Sequence, residues 1–101
     1  MTDTDDIRIF LDGHIDVPPE RLDSVRAALP EHIRLTLAEP GCLSFQVTES
    51  DSVAGRLVAS EVFVDQAAFD AHQQRTKASA WFGITAGIQR DYAIRVGAEM
   101  R

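Results

Sequence analysis

The chain has 101 residues, one cysteine, a hydrophobic fraction of 45%, a charged fraction of 26% and a formal net charge of −6. At that length it is a single domain, able to bury about two-thirds of its unfolded surface, with the composition of an ordinary globular protein. The acidic balance excludes general binding to nucleic acid or to an anionic membrane surface, and one cysteine excludes an internal disulfide and a cysteine-rich zinc site.

Residues 1–6, with Asp3, Asp5 and Asp6, read as a solvated, disordered tail. Residues 7–17 are predicted to form the first strand: Ile7, Ile9, Leu11, Ile15 and Val17 share one parity, and Arg8, Phe10, Asp12, His14 and Asp16 the other. Gly13 interrupts the apolar parity, and a glycine inside a strand pattern marks a bulge or a close approach by another group. Pro18-Pro19 ends the strand and opens a helix, with Pro19 suited to its first turn. Leu22, Val25, Leu29, Ile33 and Leu37 recur at three- and four-residue spacing and give that helix one apolar face. Pro30 falls inside the pattern; it removes a backbone hydrogen bond and crowds the preceding turn, which predicts a kink or break near Ala28. His32 stands one position off the stripe and reads as a solvated or rim histidine. Glu39-Pro40-Gly41 stops the helix, since proline lacks an amide hydrogen and glycine tolerates positive φ.

Residues 42–49 alternate as a second strand, with Leu43, Phe45 and Val47 on one face and Ser44, Gln46 and Thr48 on the other. Cys42 reads as a small strand residue. A polar loop over 50–55 is too long for a two-residue hairpin turn, and residues 57–64 are apolar at nearly every position, as in a strand covered on both faces. Asp65 is placed as a helix N-cap. Its helix runs to about Arg75, and Thr76-Lys77 interrupt it before a second apolar segment, 78–86, that carries Trp81, Phe82 and Ile84 and ends at Gly87. Residues 90–96 alternate as a fourth strand, with Tyr92, Ile94 and Val96 on one face. This order predicts an α+β, ferredoxin-like βαββαβ fold with an antiparallel sheet. Helices cover one face of such a sheet, yet the third strand is apolar on both parities: Leu57, Ala59 and Phe63 against Val58, Val62 and Val64. A two-fold dimer in which two sheets pack together would cover the second face; the alternative is that these valines are simply exposed. With no apolar run near 18 residues and no basic-then-apolar leader, a cytoplasmic protein is expected.

His14, His32 and His72 fall on three different elements, and no H-x-x-x-H or H-E-x-x-H pair occurs, so no metal site is expected. Without a GxGxxG, a P-loop or a G-x-S-x-G elbow, nothing calls for a bound cofactor or a serine nucleophile. Glu61, His72 and the aromatic residues remain. His72 lies one turn beyond Ala68 and Phe69 and so can share the sheet-facing side of its helix. Glu61 is an ionisable group in an apolar strand and needs a partner, either His72 or an arginine. A carboxylate that holds an imidazole in one tautomer is an arrangement for a general base. On the other reading the pair only satisfies itself, or Glu61 reaches solvent at a sheet edge. Phe45, Phe63, Trp81, Phe82 and Tyr92 could line an apolar pocket or fill the core; His14, beside Gly13, joins the candidate substrate contacts.

The run from Glu39, reading E-P-G-C, then an alternating strand, then E-V-F-V-D-Q-A-A-F-D-A-H, resembles the antibiotic biosynthesis monooxygenase family of small dimeric α+β barrels. The family pattern, an acidic residue in strand three, an aromatic two residues on and a helix reading A-F-x-x-H, falls here on Glu61, Phe63, Ala68-Phe69 and His72. The resemblance extends over residues 8–95, although a dedicated catalytic asparagine has no match. It implies a homodimer joined through the sheet face and a pocket for flat aromatic or quinol-like compounds, with Phe69 among the substrate contacts by its motif position. Some members oxygenate these with molecular oxygen and no flavin, metal or haem. The resulting expectation is a cofactor-independent monooxygenase acting on a phenolic, quinol or polyketide-like aromatic molecule, with His72 removing the hydroxyl proton and Glu61 orienting it. Two alternatives stand beside it: a non-oxygenase of the same fold, either a small-molecule-binding dimer or an isomerase, and a haem-degrading protein with His72 or His14 on iron.

Overall fold

The alternating and helical patterns form eight elements in this computed structural model, which describes residues 6–97. The expected disorder of residues 1–5 lies outside the described residues. Asp6 is placed, its carboxylate accepting hydrogen bonds from the Arg8 guanidinium at 2.9 and 2.7 Å. Strand β1 (Ile9–Asp16) is followed by a short 3-10 turn (Pro19–Arg21), helix α1 (Leu22–Leu37), β2 (Cys42–Glu49), β3 (Arg56–Phe63), α2 (Gln66–Lys77), the short α3 (Ala80–Ile84) and β4 (Arg90–Val96). The sheet order is β2-β3-β1-β4, and every neighbouring pair is antiparallel. This is the ferredoxin-like α+β arrangement expected from the element order.

The register sets which side chains meet under the helices. Leu11 pairs with Glu61, Gly13 with Ala59 and Ile15 with Leu57, while Phe45 of β2 lies opposite Glu61 and Tyr92 of β4 opposite Gly13. Side chains alternate across a strand, so Leu57, Ala59, Glu61 and Phe63 share the helix-covered face, and all four are buried. Two apolar clusters form on it. Ile15, Val17, Val25, Leu57 and Ile88 make one; Ile9, Leu11, Phe63 and Phe69 make the other. Leu57 anchors the first cluster and Phe63 the second, which leaves Ala59 and Glu61 in the seam between them.

Several local expectations change. Gly13 carries no bulge, because β1 pairs in unbroken register with both neighbours. Its role is close approach: a Cβ there would strike the Asp91 carbonyl oxygen and the Tyr92 ring, and would lie 2.7 Å from the Tyr92 Cα. The irregularity sits instead between Cys42 and Ser44, which turns Leu43 out to solvent and brings Cys42 against the second cluster. Gly41 also serves close approach and not positive φ, since a side chain there would collide with Ala68 at the start of α2.

Helix α1 is continuous through Pro30, so the expected break is absent. Pro30 is solvent-exposed, where water can take the carbonyl that its missing N–H leaves free. The buried side of α1 is Val25, His32 and Thr36, rotated from the apolar stripe, and Leu37 is left 52% exposed. His32 is thus an interior residue, contrary to its reading as a rim histidine. Asp65 caps α2 as expected, accepting from the Ala68 N–H at 2.8 Å. The break between α2 and α3 falls at Ala78 and Ser79, just beyond Thr76-Lys77.

The opposite face of β3 is not covered by this chain: Val58 is 42% exposed and Val62 half-buried. Gly13 supplies the first prediction. Gly13→Ala should destabilise the domain by about 1–3 kcal/mol, the usual cost of overpacking, because backbone atoms of β4 must move. Urea unfolding beside the wild type measures it, and an unchanged midpoint would show that β4 yields freely at Tyr92.

Candidate active site

Glu61 stands at the centre of β3 and is 6% exposed; His72, on the inward side of α2 one turn past Phe69, is 5% exposed. The His72 Nε2 lies 3.8 Å from a Glu61 carboxylate oxygen, beyond hydrogen-bond length. Its Nδ1 is 3.1 Å from both oxygens of Glu39, just past the C-terminal end of α1. The Arg75 Nε donates to the same carboxylate, and its Nη2 donates to the Thr36 hydroxyl at 3.0 Å. That hydroxyl in turn donates to the His32 carbonyl oxygen at 2.8 Å. An acidic group is unfavourable at the negative end of a helix dipole; here a guanidinium and an imidazole take up its charge. A carboxylate only accepts, so in neutral His72 the hydrogen belongs on Nδ1, and the Nε2 lone pair faces Glu61.

Burial governs the ionisation of the group. It pushes the Glu61 carboxyl up to about 7, and the negative charges of Glu39 and Asp12 act in the same sense. Burial holds the His72 imidazole below its ordinary value, against the opposing pull of its Glu39 hydrogen bond. The His32 imidazole is pushed down to about 4, chiefly by burial and then by the positive potential of His72, Arg75 and Arg90. Burial and the Glu61 charge raise the Tyr92 phenol. Burial likewise raises the Cys42 thiol, which disfavours the reactive thiolate.

A cavity of about 30 Å³ lies at the seam, enclosed by Leu57, Ala59 and Glu61 of β3, Phe45 and Val47 of β2, Ile15, Tyr92, His32 and Trp81. Three polar residues, Glu61, His32 and Tyr92, share its lining with apolar and aromatic side chains. The His32 and Trp81 rings stack with centroids 4.6 Å apart and planes 3° from parallel, and Phe45 meets His32 edge-on at 5.4 Å. Beyond the stack, the same two rings line an outer depression of about 160 Å³ with Ala28, Glu31, Leu35, Ser79 and Ala80.

Of the residues expected at a site, Glu61, Phe45, Trp81 and Tyr92 line this cavity, and His72 lies beside Glu61 but is not among the lining residues. Phe63 packs behind His72, ring centroids 4.8 Å apart, and Phe69 behind Phe63 at 5.4 Å. Two expected contacts lie elsewhere. His14 is on the other face of the sheet, because its strand parity pairs it with Val58 and Asp91. Phe82 points outward beneath the Arg90 guanidinium, 5.8 Å away. The residue orienting His72 is Glu39, not Glu61. Sequence reasoning passed over Glu39, Arg75, Thr36 and His32. The four-residue spacing of His32 and Thr36 signals one shared helix face, and an acid at a helix C-terminus signals a buried basic partner. Among the described residues, no three of His, Cys, Asp or Glu gather in a way that could hold a metal ion, and no helix is long and apolar enough to cross a membrane.

Fold and site together define a ferredoxin-like α+β protein with a carboxyl-lined chamber between sheet and helices. Residues 8–83 match the family described as Antibiotic biosynthesis monooxygenase, and the chain belongs to that family. Solved structures agree in fold. A protein of Nitrosomonas europaea provisionally named for the same family superposes with a TM-score of 0.76 at 19% identity, over 90% of each chain. MupZ from Pseudomonas fluorescens gives 0.76 at 17% identity, over 90% of this chain and 69% of its own. A conserved protein from Methanosarcina mazei gives 0.73 at 19% identity, over 90% and 93%. No curated protein matches the sequence.

The raised Glu61 and the lowered His32 bias stability oppositely with pH. The folded protein holds the Glu61 proton more tightly than the unfolded chain does. That stabilisation is therefore full below the ordinary 4.5 and is lost as pH rises through about 7. His32 contributes stability that is full above 6.5 and lost as pH falls toward 4. Glu61→Gln keeps the shape and removes the charge, so it should exceed the wild type by up to about 3 kcal/mol near pH ~8, with the gap closing near pH ~4. Urea unfolding at both pH values tests this; a gap that does not change with pH would mean Glu61 ionises without cost.

Proposed function

We propose that this chain is a homodimeric oxygenase that acts on a phenolic or quinol-type aromatic molecule with molecular oxygen and no cofactor of its own. One observation carries the reading: the Glu61 carboxyl, nearly half-ionised at neutral pH, faces a cavity walled by aromatic rings and apolar side chains. A base of that pKa can take a hydroxyl proton near neutrality. A dry aromatic wall then leaves the resulting anion unsolvated and electron-rich. The anion passes one electron to oxygen, and the two radicals join at a ring carbon. At an activated CH2 carbon this ends as a carbonyl: one oxygen atom stays on carbon, and the other leaves as water with the two hydrogens, so no outside reductant is consumed. Glu61 is the group that meets substrate. His72, fixed by Glu39, presents its Nε2 lone pair to Glu61 at 3.8 Å and steadies the proton once taken. This exchanges the roles expected from sequence.

Support for the dimer comes from the uncovered sheet face, where Val62 lies opposite Phe10 and Val58 opposite His14 across β1 and β3. Packing two such faces would remove their apolar surface from water. Val58→Asp should therefore shift the protein toward monomer in sedimentation velocity, and a wild-type monomer at micromolar concentration sinks the dimer.

Oxygen uptake with a panel of anthrones and hydroquinones tests the activity. The rate should rise with pH through about 7 as Glu61 ionises, and Glu61→Gln should remove about two to four orders of magnitude, the range for a positioned base. Product formed at an undiminished rate under nitrogen would replace the oxygenase with an isomerase using the same carboxyl. No uptake above autoxidation with any compound would end the oxygenase reading.

A further inference from the structure

Among the described residues, two buried side-chain polar atoms have no hydrogen-bond partner, the His32 Nδ1 and the Thr76 hydroxyl. An orphaned buried group is destabilising, because its lost water is not replaced, and His32 is only 6% exposed. The ring does not lack neighbours. Trp81 stacks on its face, Phe45 meets its edge, and His72 lies 6.4 Å away. None of the first two offers a hydrogen-bond acceptor or donor to the free nitrogen, so the packing fixes the plane of the imidazole and leaves its Nδ1 unused. Burial keeps the imidazole neutral above about 4, and a neutral imidazole offers one donor and one acceptor nitrogen.

Space leads to the same residue. The chamber at Glu61 has about 30 Å³, room for a single water. The adjoining depression has about 160 Å³. His32 and Trp81 belong to the walls of both, so a ring system that comes from the larger space to Glu61 meets this pair first.

We propose that His32 is a positioning residue whose imidazole hydrogen-bonds a second oxygen of the substrate while Glu61 takes the proton of the first, so that aromatic molecules with two oxygen functions are selected over those with one. This rests on the cavity being a substrate site. Glu61 recognises the acidic hydroxyl, the Trp81 and Phe45 rings take the flat body, and His32 reads the far end.

The experiment is calorimetric titration under nitrogen with naphthohydroquinone and naphthol, using wild type, His32→Phe and His32→Gln. Wild type should bind the two-oxygen compound about tenfold more tightly, the effect of one added hydrogen bond. His32→Phe keeps a stacking ring and should bring the two affinities together by weakening the hydroquinone alone. His32→Gln restores a hydrogen-bonding group and should recover part of the preference. A preference retained in His32→Phe, or an equal loss for both compounds, overturns the proposal. A measurement on wild type covers the case in which the variants do not fold. With nitrogen-labelled histidine, the His32 ring signal should move with the hydroquinone and much less with naphthol; equal movement overturns the proposal. Failure of wild type to bind either compound, together with no oxygen uptake, removes the functional reading as well. Uptake and binding with no response at His32 removes only this inference.

Discussion

The Glu39 carboxylate accepts hydrogen bonds from both His72 and Arg75, and much of the site depends on that double acceptance. It joins the end of α1 to α2. Arg75 extends the tie into α1 through Thr36. A carboxylate with 14% of its side chain exposed is costly to desolvate unless its oxygens are occupied. Here both are. With α1 and α2 held in this way, one imidazole nitrogen is committed and the other is presented to Glu61.

Glu61 is the destabilising element that this framework accommodates. It stands between the two apolar clusters anchored by Leu57 and Phe63. Ala59, small and adjacent, keeps the space next to the carboxyl from being filled. Gly13, opposite Ala59, lets the Tyr92 ring come down on β1, so the chamber gains a wall where β1 offers no side chain. A buried carboxyl, a missing side chain on β1 and a small residue on β3 thus all converge on one place. Together they leave a chamber with a titratable wall.

The two sheet faces differ in kind. The helix side carries the core and the chamber. The open side mixes Phe10, Val58 and Val62 with ion pairs, Arg56 to Asp16 at 2.8 Å and Arg95 to Asp12 at 2.9 Å. His14 belongs to this second face, 3.8 Å from Asp16 and 3.9 Å from Asp91, away from the chamber in spite of its place beside Gly13. Patches of apolar surface rimmed by charged pairs suit an interface better than free solvent.

Local pattern determined the fold. Period-two alternation in β1, β2 and β4, the helix stop at Glu39-Pro40-Gly41 and the Asp65 cap each act over a few residues, so the element order and the ferredoxin-like topology were legible in the chain itself. So was the nearness of Glu61 to His72, because strand parity and one helical turn place both on the covered face, but not the hydrogen bond, which goes to Glu39 instead. What tertiary structure alone decided were contacts between residues distant in sequence. Glu39 lies 33 positions from His72 and 36 from Arg75, and nothing local to any of them signals the meeting. His32 looked peripheral because it is polar and one step off the leucine stripe. It is interior because Trp81, on another helix, supplies a flat face for it. Pro30 looked like a break because propensity weighs a lost hydrogen bond, whereas packing on both sides of an exposed proline carries α1 through. Sequence pattern encodes which face of an element turns inward on average. Which polar side chain is tolerated there depends on the partner that the fold brings to meet it.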